Sequence, residues 1–84
     1  MRKIYRSLAR ASFNGLDVTS KMMLVNRRGI IRIKKESGNK EVRLFEMYNF
    51  YVLVIYDLPQ FIAREVKSIN LKEIKKRFPE FQFS

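Results

Sequence analysis

The sequence predicts a single small α+β domain, with an antiparallel β-meander of four to five strands, a C-terminal helix and a short basic N-terminal helix or arm. Short apolar or alternating segments, separated by turn residues, predict the meander. A capped segment of helical period predicts the C-terminal helix. Four Tyr and seven Phe in 84 residues supply apolar area for a core. No repeat or linker interrupts residues 1–84, so we expect one domain.

Residues 1–16 form a basic N-terminal segment. Ile4, Leu8 and Ala11 lie on one helical stripe, and a second stripe at i, i+4 spacing carries Arg2, Arg6 and Arg10. This spacing predicts a short amphipathic helix, with a strand as the alternative. Asn14-Gly15 ends the element.

The meander is predicted over residues 22–57 and begins with a hairpin. Met22–Val25 is a short apolar run, followed by a predicted turn, Asn26–Gly29, in which Gly29 is free to take positive φ. Ile30–Glu36 is the second strand. Period-2 alternation places Ile31, Ile33 and Lys35 on one face, and gives the other face a basic character through Arg32 and Lys34, beside Ile30 and Glu36.

Two further strands complete the predicted meander. Ser37–Lys40 is a turn, and Glu41–Met47 alternates as a strand. Phe50–Tyr56 is apolar on both faces, which predicts a central strand covered by a helix on one side and the N-terminal segment on the other.

Residues 57–69 fit two structures. Asp57 as a helix cap, with Pro59 and Gln60 in the first turn, indicates a helix. The same residues also make a turn that leads into a fifth strand, which we favour.

Residues 70–78 are predicted as the C-terminal helix. Asn70 is a suitable cap, Glu73 follows three residues later, and Leu71, Ile74 and Phe78 share one face before Pro79. Phe81 and Phe83 are expected to pack into the core.

Charge is the strongest functional signal. The net charge is +10, and residues 1–40 hold eleven Lys and Arg against only Asp17 and Glu36. The cations of such a segment repel one another unless an anion lies against them, and this favours a polyanionic partner. The predicted phosphate contacts are Arg2, Lys3, Arg6, Arg10, Arg27, Arg28, Arg32, Lys34 and Lys35. Lys72, Lys75, Lys76 and Arg77 are expected to be an ordinary solvated helix face.

Composition also restricts the chemistry. The chain has no Cys and no His, so it lacks the commonest metal ligands and general base, and we expect no cofactor, no metal and no small-molecule substrate. The longest apolar run, Phe50–Tyr56, is too short to span a bilayer. We therefore expect no membrane partner and a location in the cytoplasm or inside a virion. Asp57 with Glu65 and Lys67 has the residue order of a metal-dependent nuclease, an alternative of low weight at this loose spacing.

Residues 43–57 run through a strand, the Tyr48-Asn49 turn and the strand Phe50–Asp57. This segment resembles the sheet of the small mRNA interferase toxins of toxin and antitoxin pairs, which cleave ribosome-bound message with Arg, Lys and Tyr. The resemblance implies phosphate and base contacts by Tyr48, Tyr51, Tyr56 and the run from Arg32 to Lys35. The long helical hairpin that precedes the sheet in that family is not predicted here.

The leading hypothesis is a non-enzymatic nucleic-acid-binding or packing protein that contacts the phosphate backbone of DNA or RNA. The second is a structural or adaptor subunit of a larger assembly, such as a phage particle or a ribonucleoprotein, which docks on an acidic partner. The interferase resemblance is the third.

Overall fold

The fold is α+β, as predicted, with a four-stranded antiparallel meander between helices. The computed structural model describes residues 10–81. The strands are β1 (Ile30–Ser37), β2 (Lys40–Glu46), β3 (Tyr51–Asp57) and β4 (Ile62–Ile69), and their order in the sheet is β1-β2-β3-β4. Residues 10–14 are helical (α1), and the other helices are α2 (Val18–Arg28) and α3 (Leu71–Arg77).

Strand β3 is the centre of the core, which confirms the prediction of a strand covered on both faces. Val52 and Val54 belong to a cluster with Phe13 and Val25, so α1 and α2 pack on this face, which we call the α2 face. Leu53 points to the opposite face, the α3 face, whose cluster also holds Leu44, Ile69, Ile74 and Phe78.

The predicted strand at Met22–Val25 is wrong, because these residues lie inside α2. The Asp17 side chain caps this helix by accepting from the backbone N–H of Ser20, at 2.8 Å. Val25 is fully buried while Met23 is exposed, as expected of one helical face. The first predicted hairpin is therefore absent, and the sheet spans residues 30–69 instead of 22–57.

Within residues 10–81, two helical segments thus precede the sheet, where the sequence predicts a short N-terminal helix followed by a strand. They are residues 10–14 and α2, joined by a tight turn in which the Gly15 N–H donates to the carbonyls of Ala11 and Ser12. The basic N-terminal segment is helical in its described part, residues 10–14, and the rest of its predicted stripe lies outside the described residues.

A bulge in β1 changes the predicted faces of that strand. Ile31 lies opposite Phe45, but Ile33 lies opposite Leu44, so Arg32 is the extra residue. Phe45 and Leu44 point to opposite faces, and Ile31 and Ile33 therefore do not share a face as predicted. Beyond the bulge, Lys35 lies on the α3 face with Ile33, while Lys34 lies on the α2 face.

The later elements confirm the sequence analysis. The favoured strand in residues 57–69 is β4, and the turn before β2 places Gly38 at φ 61°, in the left-handed region. Asn70 caps α3 by accepting from the Glu73 N–H at 2.9 Å. Phe81 packs beside this helix, edge-on to Tyr51 with ring centroids 6.1 Å apart. Phe83 lies outside the described residues.

Gly29 is required by close approach and not by the freedom to take positive φ, because its φ is −77°. A Cβ at this position would lie 2.7 Å from the carbonyl oxygen of Val25 and 3.2 Å from the Phe45 ring. Gly29 therefore lets the chain pass from the end of α2 into β1 against the buried Phe45.

We predict that Gly29→Ala lowers the free energy of unfolding by about 1–3 kcal/mol, because the added Cβ must displace backbone or a packed ring. Gly15→Ala is the matched control, since its Cβ would meet nothing closer than 3.7 Å. It should leave stability unchanged or raise it by about 0.4–1 kcal/mol. Urea denaturation followed by circular dichroism measures both, and equal effects would contradict the packing argument.

Candidate nucleic-acid interface

Arg10 is the first of the predicted phosphate contacts that the structure places. Its side chain is exposed, and its Nε donates to Ser68 Oγ on β4 at 3.4 Å. The other cations predicted in this segment, Arg2, Lys3 and Arg6, lie outside the described residues. Ser68 lies opposite Val52 on the α2 face, so Arg10 lies on the α2 side of the molecule.

Arg27 and Arg28 form the last turn of α2 and are both exposed. They were predicted at the tip of a hairpin, which does not exist. At the C-terminal end of a helix, cations interact favourably with the backbone dipole. Within residues 10–81 neither arginine makes an ion pair, so both guanidinium groups are available to an external anion.

The three predicted cations of β1 are not brought together. Arg32 pairs with Glu46 and lies over the Phe81 ring, 5.5 Å from its centroid. Lys35 pairs with Glu80 at 2.6 Å and lies 5.3 Å from the Phe78 ring centroid. Lys34 is exposed on the opposite face, across from Arg43. The single basic strand face predicted from the sequence is therefore divided between two sides.

Ion pairs in the described chain draw their cations from the sheet. The described pairs are Arg32–Glu46, Lys35–Glu80, Lys40–Asp57, Arg43–Glu41, Arg64–Asp57 and Lys67–Glu65. Apart from Lys34, the cations of residues 10–81 without an acidic partner are on or beside the helices: Arg10, Lys21, Arg27, Arg28, Lys72, Lys75, Lys76 and Arg77. The excess positive charge is therefore displayed by the helical layers on both faces of the sheet.

Helix α3 has the solvated basic face that the sequence predicts for Lys72, Lys75, Lys76 and Arg77, since all four are exposed. Its exposed residues include four cations and one acid, Glu73, which lies in the first turn near the helix N-terminus. The basic residues fill the last turn and lie apart from the sheet acids. The sequence shows this charge as four cations within seven residues, a pattern that is usually a solvated helix face.

An aromatic and guanidinium cluster on the α2 face was not predicted as a unit. The Arg43 guanidinium lies 4.8 Å from the Tyr56 ring centroid and 5.4 Å from that of Phe61. The two rings meet edge-on, with centroids 5.9 Å apart. Arg43 also pairs with Glu41, whose residue is only 4% exposed. Burial raises the pKa of the Tyr56 phenol, and the nearby Arg43 opposes this shift.

The three tyrosines implied by the interferase resemblance do not form one site. Tyr48 is exposed in the loop between β2 and β3, and Tyr51 lies on the α3 face. Tyr56 lies on the α2 face and is buried. The acidic residues of the nuclease alternative are also engaged in ion pairs, and among residues 10–81 no group of three or more acids is arranged to hold a metal ion.

Comparison of the chain with protein-family models, with curated proteins and with solved structures gives no match. In the described range, no helix has the length and apolar character needed to cross a membrane.

Asp57 links two strands through its carboxylate, and its charge should make stability depend on pH. Hydrogen bonds from Lys40 (3.1 Å), the larger cause, and from Arg64 (3.0 Å) hold the pKa of the Asp57 carboxyl below its usual value. A carboxyl whose pKa is lower in the folded state stabilises above its unfolded pKa, and this stabilisation is lost as pH falls through the folded pKa.

We therefore predict that Asp57→Asn destabilises the protein at neutral pH and that its difference from the wild type shrinks below about pH 4. Thermal denaturation at neutral and acidic pH measures this. Glu36→Gln is the control, because Glu36 is exposed and makes no ion pair in the described range. A pH-independent effect of Asp57→Asn would contradict the ion-pair explanation.

Proposed function

We propose that this protein binds nucleic acid through its phosphate backbone, as a non-enzymatic binding or packing protein. The observation that carries the proposal is the division of charge among residues 10–81, where the acids pair mainly with sheet cations and the helical cations have no acidic partner. Lys and Arg in this state can each neutralise a phosphate and release its counterion. Such a protein would act in the cytoplasm or inside a virion.

The distribution of these cations supports packing as well as simple binding. Arg27, Arg28 and Lys34 lie on or beside the α2 side, and the basic turn of α3 lies across the sheet. Two basic sides on one small domain can contact two phosphate backbones, or two turns of one. Arg32 and Lys35 are weaker candidates than the sequence suggested, because binding a phosphate would compete with their ion pairs to Glu46 and Glu80.

We predict that Arg27→Gln/Arg28→Gln weakens binding to labelled duplex DNA and to single-stranded RNA, whatever the sequence. Removing one phosphate interaction should make the slope of log affinity against log salt shallower by about 0.9 on duplex DNA. The double variant should therefore have a slope shallower by nearly two. Fluorescence anisotropy across a salt series measures both the affinity and the slope.

The matched control is Lys40→Gln/Arg64→Gln, which removes the same charge from two cations already paired with Asp57. It should change the slope little. Equal reductions in the two double variants would mean that net charge alone drives binding, and an unchanged affinity in both would reject Arg27 and Arg28 as contacts. Lys75→Gln/Lys76→Gln tests whether α3 provides the second basic side.

A second candidate function, docking on an acidic protein partner in a larger assembly, is favoured by the edge strands. The Lys21 Nζ donates to the backbone carbonyl of Val66 at 3.2 Å, so α2 covers part of the β4 edge. The other edge strand, β1, is exposed at every residue but Ile33, and Ile30 and Ile31 are 62% and 46% exposed. An extended acidic segment could pair with this edge, beside Lys34, which makes no ion pair in the part of the chain that the structure describes.

For this candidate we predict that Ile30→Thr/Ile31→Thr weakens binding of a labelled polyglutamate peptide at least several-fold, because β1 loses its apolar contacts but keeps its β propensity. Val18→Thr, on the exposed surface of α2, is the control. Titration by fluorescence anisotropy measures the affinities. Peptide binding that ignores the β1 variant would remove the support for edge docking.

A further inference from the structure

Phe61 is an exposed aromatic residue held in an unfavourable backbone conformation. It precedes β4, its φ is 60°, and 49% of its surface is exposed. A left-handed φ is uncommon for a bulky residue, and a Phe that stays half exposed gains little hydrophobic free energy to offset this strain. Backbone strain of this kind concentrates at functional sites, so the position invites a functional explanation.

The surroundings of Phe61 fix the orientation of an adjacent guanidinium plane. Arg43 lies against both Phe61 and Tyr56, and the nearly buried Glu41 holds it by an ion pair. The pairing of β2 with β3 therefore holds Arg43, Glu41 and Tyr56 in place before any ligand binds. Arg43 keeps 24% of its side chain exposed and Phe61 is exposed, so the cluster can be reached from solvent.

The cluster also has polar neighbours suited to a nucleotide. Lys34 lies across from Arg43 on the adjacent strand, is exposed, and makes no ion pair in the described range. Phe61 also lines an open depression of about 390 Å³, together with Glu36 and Asn39. Carboxylate and amide groups can accept hydrogen bonds from the amino groups of bases, and Lys34 can contact a phosphate.

We propose that Phe61 and Arg43 form a stacking site for an unpaired nucleobase, so that the protein prefers single-stranded nucleic acid to duplex. This inference rests on the proposed function and names the form of nucleic acid that it binds. Aromatic rings and guanidinium planes stack on bases without regard to sequence, since every base has a π face. In a duplex the bases stack on each other and their faces are not available to the ring.

A direct test uses Phe61→Trp, because the chain has no other Trp to obscure the signal. A stacked base should quench the Trp fluorescence when a single-stranded oligonucleotide binds, and a duplex of equal length should leave it nearly unchanged. Anisotropy of the labelled oligonucleotide, measured in the same titration, confirms that each nucleic acid is bound. Binding of both forms without quenching would overturn the stacking site and leave the proposed function intact.

Affinity measurements give the second test. Phe61→Leu keeps an apolar side chain without a π face, and Phe61→Tyr restores the ring. We expect Phe61→Leu to weaken single-strand binding about 5- to 100-fold, Phe61→Tyr to retain it, and duplex binding to be unchanged. Phe61→Gly relieves the left-handed strain, so weaker single-strand binding at undiminished thermal stability excludes unfolding as the cause.

Two other results would count against the inference. Equal weakening of single-strand and duplex binding by Phe61→Leu would show that the ring acts through the fold. If the wild-type protein binds neither nucleic acid at low salt, the proposed function fails and the stacking site fails with it.

Discussion

The fold depends on β3, which must be buried on both faces. Val52, Leu53 and Val54 are consecutive and fully buried, so neither face of this strand can be left to solvent. A chain of 84 residues has little material with which to cover two faces. It uses α1 and α2 on one side and α3 with Phe78 and Phe81 on the other. Of the two edge strands, β1 is left largely exposed and β4 is covered in part, and this determines where charge can be placed.

Charge placement follows from those exposed edges. Each edge strand contains one bulge, and the extra residue is an arginine in both, Arg32 in β1 and Arg64 in β4. Both arginines pair with an acid on the neighbouring strand, Glu46 or Asp57. Bulges and charged side chains are common protections against pairing between like sheet edges, such as those of two copies of this chain. Because several of the few acids serve this purpose, the helical cations within residues 10–81 are left without an acidic partner.

Much of the fold could be predicted because its signals are local. The burial of β3 follows from seven apolar residues in a row, and α3 follows from Asn70, Glu73 and Pro79. The run Met22–Val25 could not be assigned in this way, because four apolar residues fit a strand or one turn of a helix. Asp17, the N-cap of α2, did not settle the assignment either, because Asp and Ser are equally typical of turns.

The candidate site was less predictable, for physical reasons that also act locally. A bulge shifts every later side chain of a strand to the other face, so one inserted residue separates Arg32 from Lys34. The cluster around Arg43 joins residues from β2, β3 and the turn before β4, which only the strand register brings together. Charge totals survive such rearrangements, whereas the composition of a particular surface does not.

The two kinds of contact proposed here differ in their dependence on salt. Phosphate contacts by helical Arg and Lys gain from counterion release and weaken steeply as salt rises. Stacking of a base on Phe61 neutralises no phosphate, so its contribution should persist when the phosphate contacts are screened. A preference for single strands that originates at Phe61 should therefore increase with salt concentration. Charge density alone favours the duplex, which carries more phosphates per unit length, and this advantage also shrinks as salt rises. The part of the preference that comes from stacking is therefore the difference between the wild type and Phe61→Leu, which should persist at high salt.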